Sequence, residues 1–286
     1  MDARTPFQVE PLPATFGAVV TGLRLANLDE AGFQSLYRVW LDYGLLIFPG
    51  QHLSRDEQVA FAGRFGPLEF RLAPISNVRE DGSIRPPDDD WVQVLKGNMG
   101  WHCDSTYMPV QAKGAVFTAH VVPLTGGETE WADMAAAYEA LPQETQARIA
   151  PLSAYHSLKR SQARIGHDYR KGAEHGGYGA DVESPPLRPL VKVHPETGRP
   201  CLMVGRHAFG IPGLAEAESE ALLDDLLAFA CQPPRVWTHA WEPGDAVVWD
   251  NRRLKHRARP WDLSKPRVMF HSRIAGDPAT ESAPSA

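Results

Sequence analysis

Gly244-Asp245-Ala246-Val247-Val248-Trp249-Asp250-Asn251-Arg252-Arg253-Leu254-Lys255-His256-Arg257-Ala258 sets the type of fold. A four-residue apolar run leaves a Gly-Asp turn and is stopped by Asp250-Asn251. It is too short for an ordinary helix and reads as a buried strand that runs into a turn and ends on His256. The same kind of run recurs on either side. Leu45–Phe48 is stopped by Pro49-Gly50, residues 114–122 (GAVFTAHVV) end at Pro123, and residues 267–275 close the chain's last strand. Shorter ones are expected around 7–28, 128–131, 190–193, 201–204 and 235–240, for roughly ten strands in all. Trp91 to Leu95 also reads as a strand.

Helical spacing is confined to four segments. Residues 29–43 carry Phe33, Leu36, Tyr37, Trp40 and Leu41, with Asp29 as N-cap and Gly44 as stop. Ser54-Arg55-Asp56-Glu57 is a capping box opening a helix to about Phe65. Residues 133–148 and 214–231 supply the other two. No regular strand–helix alternation, Gly-rich phosphate loop or internal repeat accompanies them. The expectation is one domain over 1–286, mainly β with flanking helices, built on a double-stranded β-helix (jelly-roll) core. Residues 68–100 and 156–186 are Pro-, Gly- and charge-rich and read as loop insertions, either mobile lids or plain surface excursions. Residues 278–286 are expected to fray.

Composition excludes several classes. The formal charge of −6 argues against nucleic acid as a main partner. Three cysteines, Cys103, Cys201 and Cys231, share no C-x-x-C spacing and fit a reducing compartment. No signal-peptide core or membrane-length apolar stretch is present, so a cytoplasmic protein without a membrane partner is expected.

Chemistry concentrates in Gly100-Trp101-His102-Cys103-Asp104-Ser105. In an extended segment His102 and Asp104 point to one face and Cys103 to the other. An imidazole nitrogen and a carboxylate oxygen are two thirds of the two-His-one-carboxylate set that holds non-haem Fe(II). The pair is a weak motif alone. A second histidine, His256, stands about 150 residues on at the end of a strand, and Arg267 follows eleven residues after it.

With these residues in this order, the chain resembles the 2-oxoglutarate-dependent Fe(II) dioxygenases of the TauD/TfdA family. The stretches "GLLIFPGQ", "RFG", "WHCDSTY", "PLTGGET", "HPETG" and "WDNR" carry the resemblance along nearly the whole chain. In texture it is most similar to the aryloxyalkanoate (phenoxypropionate and phenoxyacetate herbicide) dioxygenases, through "GNMGWHCDSTYMPVQAKGAVF" and "RVMFHSRIAGD". The resemblance implies His102, Asp104 and His256 as ligands of Fe(II). It implies Arg267 and Thr129 on the distal carboxylate of the cosubstrate 2-oxoglutarate, where an arginine fork suits a carboxylate better than a lysine. Trp249 matches a tryptophan lining that pocket, although core packing explains it almost as well. The partners implied are O2 and a small anionic organic substrate, and the family tends to form homo-oligomers.

The substrate end departs from the taurine-type pattern. The position four after Arg267 is His271 where a second arginine is usual, and Arg273 follows two later. Residues 267, 269, 271 and 273 share a strand face, so Arg273 remains available to an anion. Other candidates for the substrate are His271, Asn98, the backbone N–H of Ser105, Lys96 and Arg71; the last two read equally well as surface charges. The reaction implied is hydroxylation of the carbon beside the ether oxygen, giving a phenol and a 2-oxo acid with succinate and CO2. The alternatives are the same chemistry on a sulfonate, an alkyl sulfate or an amino-acid-derived acid, and, remotely, a non-catalytic cupin-like binding module.

Overall fold

The computed structural model describes residues 6–167, 178–179, 182 and 184–284. The strands are β1 (Gln8–Pro11), β2 (Ala18–Thr21), β3 (Leu45–Phe48), β4 (Leu68–Ser76), β5 (Gly114–Val121), β6 (Thr129–Asp133), β7 (Ser153–His156), β8 (Leu187–Pro189), β9 (Val191–Val193), β10 (Pro200–Leu202), β11 (Ala208–Phe209), β12 (Val236–His239), β13 (Ala246–Asp250), β14 (Leu254–Ala258) and β15 (Val268–Ile274). The helices are α1 (Glu30–Tyr43), α2 (Arg55–Gly63), α3 (Asp90–Gly97), α4 (Met134–Glu139), α5 (Gln143–Ile149), α6 (Leu158–Ala163), α7 (Glu216–Ala230) and α8 (Pro278–Glu281). The fold is mainly β with flanking helices.

Seven strands make one sheet in the order β1-β2-β3-β13-β5-β15-β4, and β12-β6-β14 make a second. Alternation explains the layers. Along β13, Ala246 and Val248 pack with Leu36, Trp40 and Phe61 of α1 and α2. Val247 and Trp249 point the other way and pack with Trp131 and Leu254 of the small sheet. β3 and β5 divide likewise, with Leu46, Phe48 and Val116 toward the helices and Leu45, Ile47 and Phe117 toward the small sheet. Both faces are covered, which is why these strands read as unbroken apolar runs. Each large side chain buried in this way is worth about 2 kcal/mol. A further cluster packs α4 and α7 around Leu190 and Leu202.

The helix ends follow the caps. Asp29 accepts from Gly32 N at 2.8 Å, and Gly44 closes α1 at φ 74°, a left-handed conformation that favours glycine. Both halves of the Ser54–Glu57 capping box are formed.

Several expectations are corrected. Residues 91–95 form part of helix α3, not a strand: Asp89 accepts from Trp91 N at 3.0 Å, and Val92 and Leu95 are buried at helical spacing. The segment 68–100 is therefore no continuous loop. Its first part is edge strand β4, paired with β15, and only 77–89 and the turn at 98–100 lie outside the strand and α3. The helix expected over 133–148 is split into α4 and α5, because Pro142 takes the N-cap of α5. The tail expected to fray is docked as far as residue 284. α8 is capped by Asp277, and its Glu281 is buried in an ion pair with Lys192. Within 156–186, residues 158–163 form α6, and 168–177, 180–181 and 183 lie outside the described residues.

Candidate functional site

The site is set by a backbone bridge. His102 N donates to His256 O at 3.0 Å and His256 N to His102 O at 2.8 Å, which lays the 102–104 segment against β14. β14 in turn pairs with β6, His256 opposite Trp131. His102, Asp104 and His256 project into one space, with ligand atoms all within 4.8 Å of one another. Cys103 points away, as its place in the alternation predicts. Its Sγ lies 3.2 Å from the carbonyls of Asn251 and Leu254 and 2.8 Å from Lys255 Nζ.

The three groups are in the right protonation states for a cation. His102 Nδ1 lies 2.8 Å from Gly100 O. A carbonyl only accepts, so Nδ1 carries the proton and the Nε2 lone pair is left for a metal. Burial pushes the His102 pKa down to about 4, against the pull of Asp104, and burial likewise holds His256 well below its ordinary value. Burial opposes ionisation of Asp104, but Arg273, His256 and His271 outweigh it and hold that carboxyl well below the usual range. Among the described residues Asp104 Oδ2 is buried with no hydrogen-bond partner. His256 Nε2 stands 4.0 Å from it and His271 Nε2 3.5 Å. A buried anionic oxygen without a hydrogen bond is costly unless a cation takes it, and two neutral imidazoles beside it suit a divalent metal.

These groups open on a cavity of about 310 Å³. Thr129, Trp249 and Arg267 line it. Arg267 is 2% exposed, and its Nε and Nη2 donate only to Gly127 O, at 3.2 and 3.1 Å. Among the described residues no carboxylate pairs with it, and burial lowers its pKa to about 10. Its backbone N–H is fixed by Asn77 Oδ1 at 2.8 Å. Trp249 stacks on His271 at 5.6 Å and 11° and leans on His256 at 4.8 Å. It both packs the core and lines the pocket.

On the far side, Phe70, Ala73, Ile75, Val94 and Leu158 give an apolar wall. A β-bulge makes this wall. Arg273 pairs with Phe70 but His271 with Ala73, so β4 carries one extra residue there. The bulge brings Phe70, Ala73 and Ile75 to one face. His271 and Arg273 line the cavity with Arg267, as the shared strand face predicts, and so does Asn98 at the end of α3. Ser105 is buried at φ 59°, and its Oγ accepts from Arg273 Nη1 at 3.2 Å. It meets the site through this hydroxyl and does not line the cavity.

Two candidates fall away. Lys96 lies on the outer side of α3, where Nζ donates to Pro87 O at 3.3 Å, and Arg71 is exposed within the bulge, its carbonyl accepting from Ser272 Oγ at 2.7 Å. Neither lines the cavity. Sequence reasoning missed three residues. Arg206 lines the pocket, held by Gln162 Oε1 at 2.6 Å. Glu69 accepts from Ser105 Oγ at 2.9 Å and from the Tyr178 hydroxyl. Trp241 donates to Thr129 Oγ at 2.9 Å. None belongs to a motif; only the fold brings them to the site.

Comparison with known proteins agrees with this geometry. The family described as taurine catabolism dioxygenase TauD, TfdA matches residues 8–272. The chain is 61% identical over 280 residues to the (S)-phenoxypropionate/alpha-ketoglutarate-dioxygenase of Sphingobium herbicidovorans, covering 97% of this chain and 98% of that protein. It is 37% identical over 285 residues to the alpha-ketoglutarate-dependent 2,4-dichlorophenoxyacetate dioxygenase of Cupriavidus pinatubonensis, covering 93% and 97%. The crystal structure of AAD-2 in complex with Mn(II) and N-oxalylglycine superposes with a TM-score of 0.90 at 36% identity, over 98% of this chain and 99% of that one. By fold, by site and by sequence along nearly its whole length, the chain belongs to the TauD/TfdA dioxygenase family.

Proposed function

We propose that this protein is an Fe(II)- and 2-oxoglutarate-dependent dioxygenase that hydroxylates an aryloxyalkanoate at the carbon beside the ether oxygen. A 2-phenoxypropionate is the first candidate, and its S enantiomer is favoured by the name of the 61% identical relative. The observation that carries the reading is one cavity with three functional walls. One holds the orphaned Asp104 oxygen between two imidazoles, one holds the unpaired Arg267, and one is apolar. The facing, mainly antiparallel sheets that enclose it are proposed as the double-stranded β-helix of the family.

In this reading His102, Asp104 and His256 would hold the metal. Fe(II) bound there supplies dioxygen activation coupled to oxidative decarboxylation of 2-oxoglutarate to succinate and CO2. Arg267 and Thr129 bind the distal carboxylate, and Trp249 walls that arm against water. Arg273, with Asn98 and His271 beside it, takes the substrate carboxylate, while Phe70, Ile75 and Val94 hold the aryl ring. Phe70 also lies under the Arg273 guanidinium at 5.0 Å and so links the two ends of the substrate seat. Hydroxylation at the ether carbon leaves a hemiketal, which collapses to a phenol and a 2-oxo acid.

Succinate release is the test, with Fe(II), 2-oxoglutarate and O2, across phenoxypropionate enantiomers, phenoxyacetates, alkyl sulfates and sulfonates. Phenol formation with the aryloxyalkanoates is expected to exceed turnover of the sulfur anions at least tenfold. The reverse order would transfer the assignment to a sulfur anion. Anaerobic Fe(II) with 2-oxoglutarate should give a weak visible charge-transfer band that His256→Ala abolishes; a band surviving in that variant contradicts the ligand set.

A further inference from the structure

We infer that Trp241 is a positioning residue for the cosubstrate, its indole N–H aiming the Thr129 hydroxyl proton into the seat beside Arg267. The inference rests on the 2-oxoglutarate seat proposed above.

Donor and acceptor chemistry fixes the direction of the bond. An indole N–H only donates, so Thr129 Oγ must be the acceptor of the 2.9 Å bond from Trp241 Nε1. A threonine hydroxyl has one proton, and no described residue accepts it. Thr129 is 5% exposed and lines the cavity, so the proton's remaining partner lies in the pocket. Arg267, on the same wall, also carries N–H groups beyond those spent on Gly127 O. Two converging sets of unspent donors suit a group that only accepts, and a carboxylate is such a group.

The rotor needs a fixed reference, and Trp241 provides one. Its ring is caged by Phe117 at 5.4 Å, Trp131 at 6.3 Å and His239 at 4.7 Å. His239 Nε2 is tied to Asp245 Oδ2 at 3.1 Å, and Asp245 also accepts from Glu242 N at 3.1 Å. The turn after β12 is thereby locked to the start of β13. Without the indole N–H, the hydroxyl is free to turn its lone pairs toward the pocket, where they would oppose a carboxylate.

The experiment is steady-state kinetics and 2-oxoglutarate binding on the iron-loaded enzyme. Trp241→Phe keeps an aromatic ring in the cage and removes the donor. The expected result is a KM for 2-oxoglutarate raised about fivefold, the scale of one lost hydrogen bond, with kcat at saturating cosubstrate and KM for the organic substrate within about twofold. In a Thr129→Val background the same change should add nothing, because no hydroxyl is left to aim. An unchanged KM for 2-oxoglutarate, or an equal loss with and without the Thr129 hydroxyl, overturns the inference. Arg267→Gln separates this from the larger reading. If it leaves the cosubstrate KM unmoved, the seat itself is wrong; if it raises KM and Trp241→Phe does not, only the role of Trp241 falls. Should the Phe variant not fold, 3-benzothienylalanine at position 241 replaces the N–H by sulfur at nearly the same volume and carries the same test.

Discussion

Strand β15 and the residue before it hold two arginines, six positions apart, the first buried and the second partly exposed, whose surroundings are opposite. Arg267 donates to the carbonyl of Gly127, and among the described residues no carboxylate forms an ion pair with it, Glu128 acting on it only at longer range. Arg273 is already matched. Its Nη2 donates to Asp104 Oδ1 at 3.1 Å and its Nη1 to Ser105 Oγ at 3.2 Å, with Glu69 at 4.0 Å from Nε. The titration directions express the same contrast. Burial lowers the Arg267 pKa to about 10, whereas at Arg273 burial is outweighed by Asp104, Tyr107, Tyr178 and Glu69 and the pKa is raised. The first is a cation prepared for an anion that must come from outside. The second is a cation that an incoming anion must share. A cosubstrate common to every turnover fits the first seat, and the substrate that is selected fits the second.

The largest expected break in this comparison is at the unmatched end. Arg267→Gln removes a buried charge that a carboxylate would meet through two parallel hydrogen bonds, so KM for 2-oxoglutarate should rise about 100-fold. Arg267→Lys should recover only part of this, since an ammonium lacks the fork. If Lys restores full affinity, the fork geometry is irrelevant. Next in size is Arg273→Ala. KM for the organic anion should rise about tenfold while KM for 2-oxoglutarate stays within about twofold. Because Arg273 also tethers Asp104 Oδ1, Fe(II) affinity should fall by up to about tenfold, the scale seen when a partner of a metal ligand is removed. A rise in the cosubstrate KM at saturating iron would show that the two arginines do not divide the anions in this way.

The two ends also differ in how far the sequence exposes them. His102, Asp104, His256, Arg267 and Thr129 sit in short motifs with a fixed order, and the structure brings all five to one cavity. Their geometry is simple: a bridge between His102 and His256 aligns one pair, alternation puts Asp104 beside His102, the pairing of β6 with β14 places Thr129, and Arg267 enters just before β15. The apolar wall proposed for the substrate is not local. Phe70 reaches it through a bulge in a strand that Pro and charged residues disguised as loop, and Val94 through a helix whose Val92–Leu95 stretch also satisfied a strand pattern. Arg206 and Glu69 come from segments more than 100 residues apart. Lys96 and Arg71 had the right charge and the right neighbourhood in sequence, yet they face outward because of helix phase and the bulge. Spacing identifies ligands that share a strand; it does not identify a wall assembled from β4, α3 and α6.

A weaker change is expected at Glu69. Glu69 is a native carboxylate beside the matched arginine, with its oxygens engaged by Ser105 Oγ at 2.9 Å and by the Tyr178 hydroxyl. Its side chain is 20% exposed, so solvent weakens but does not abolish its field at Arg273. An arriving substrate carboxylate must approach the same guanidinium against this charge. Glu69→Gln keeps the shape and can keep the bond from Ser105, while the repulsion goes. KM for the anionic substrate should therefore fall about threefold, with KM for 2-oxoglutarate unchanged, and the gain should shrink as salt is raised. If KM instead rises, Glu69 acts by holding Ser105, and through it Arg273, in place, and the matched arginine is a built scaffold and not a shared seat. The sign of this one small change therefore decides whether Arg273 selects the substrate by exchange of partners or only by position.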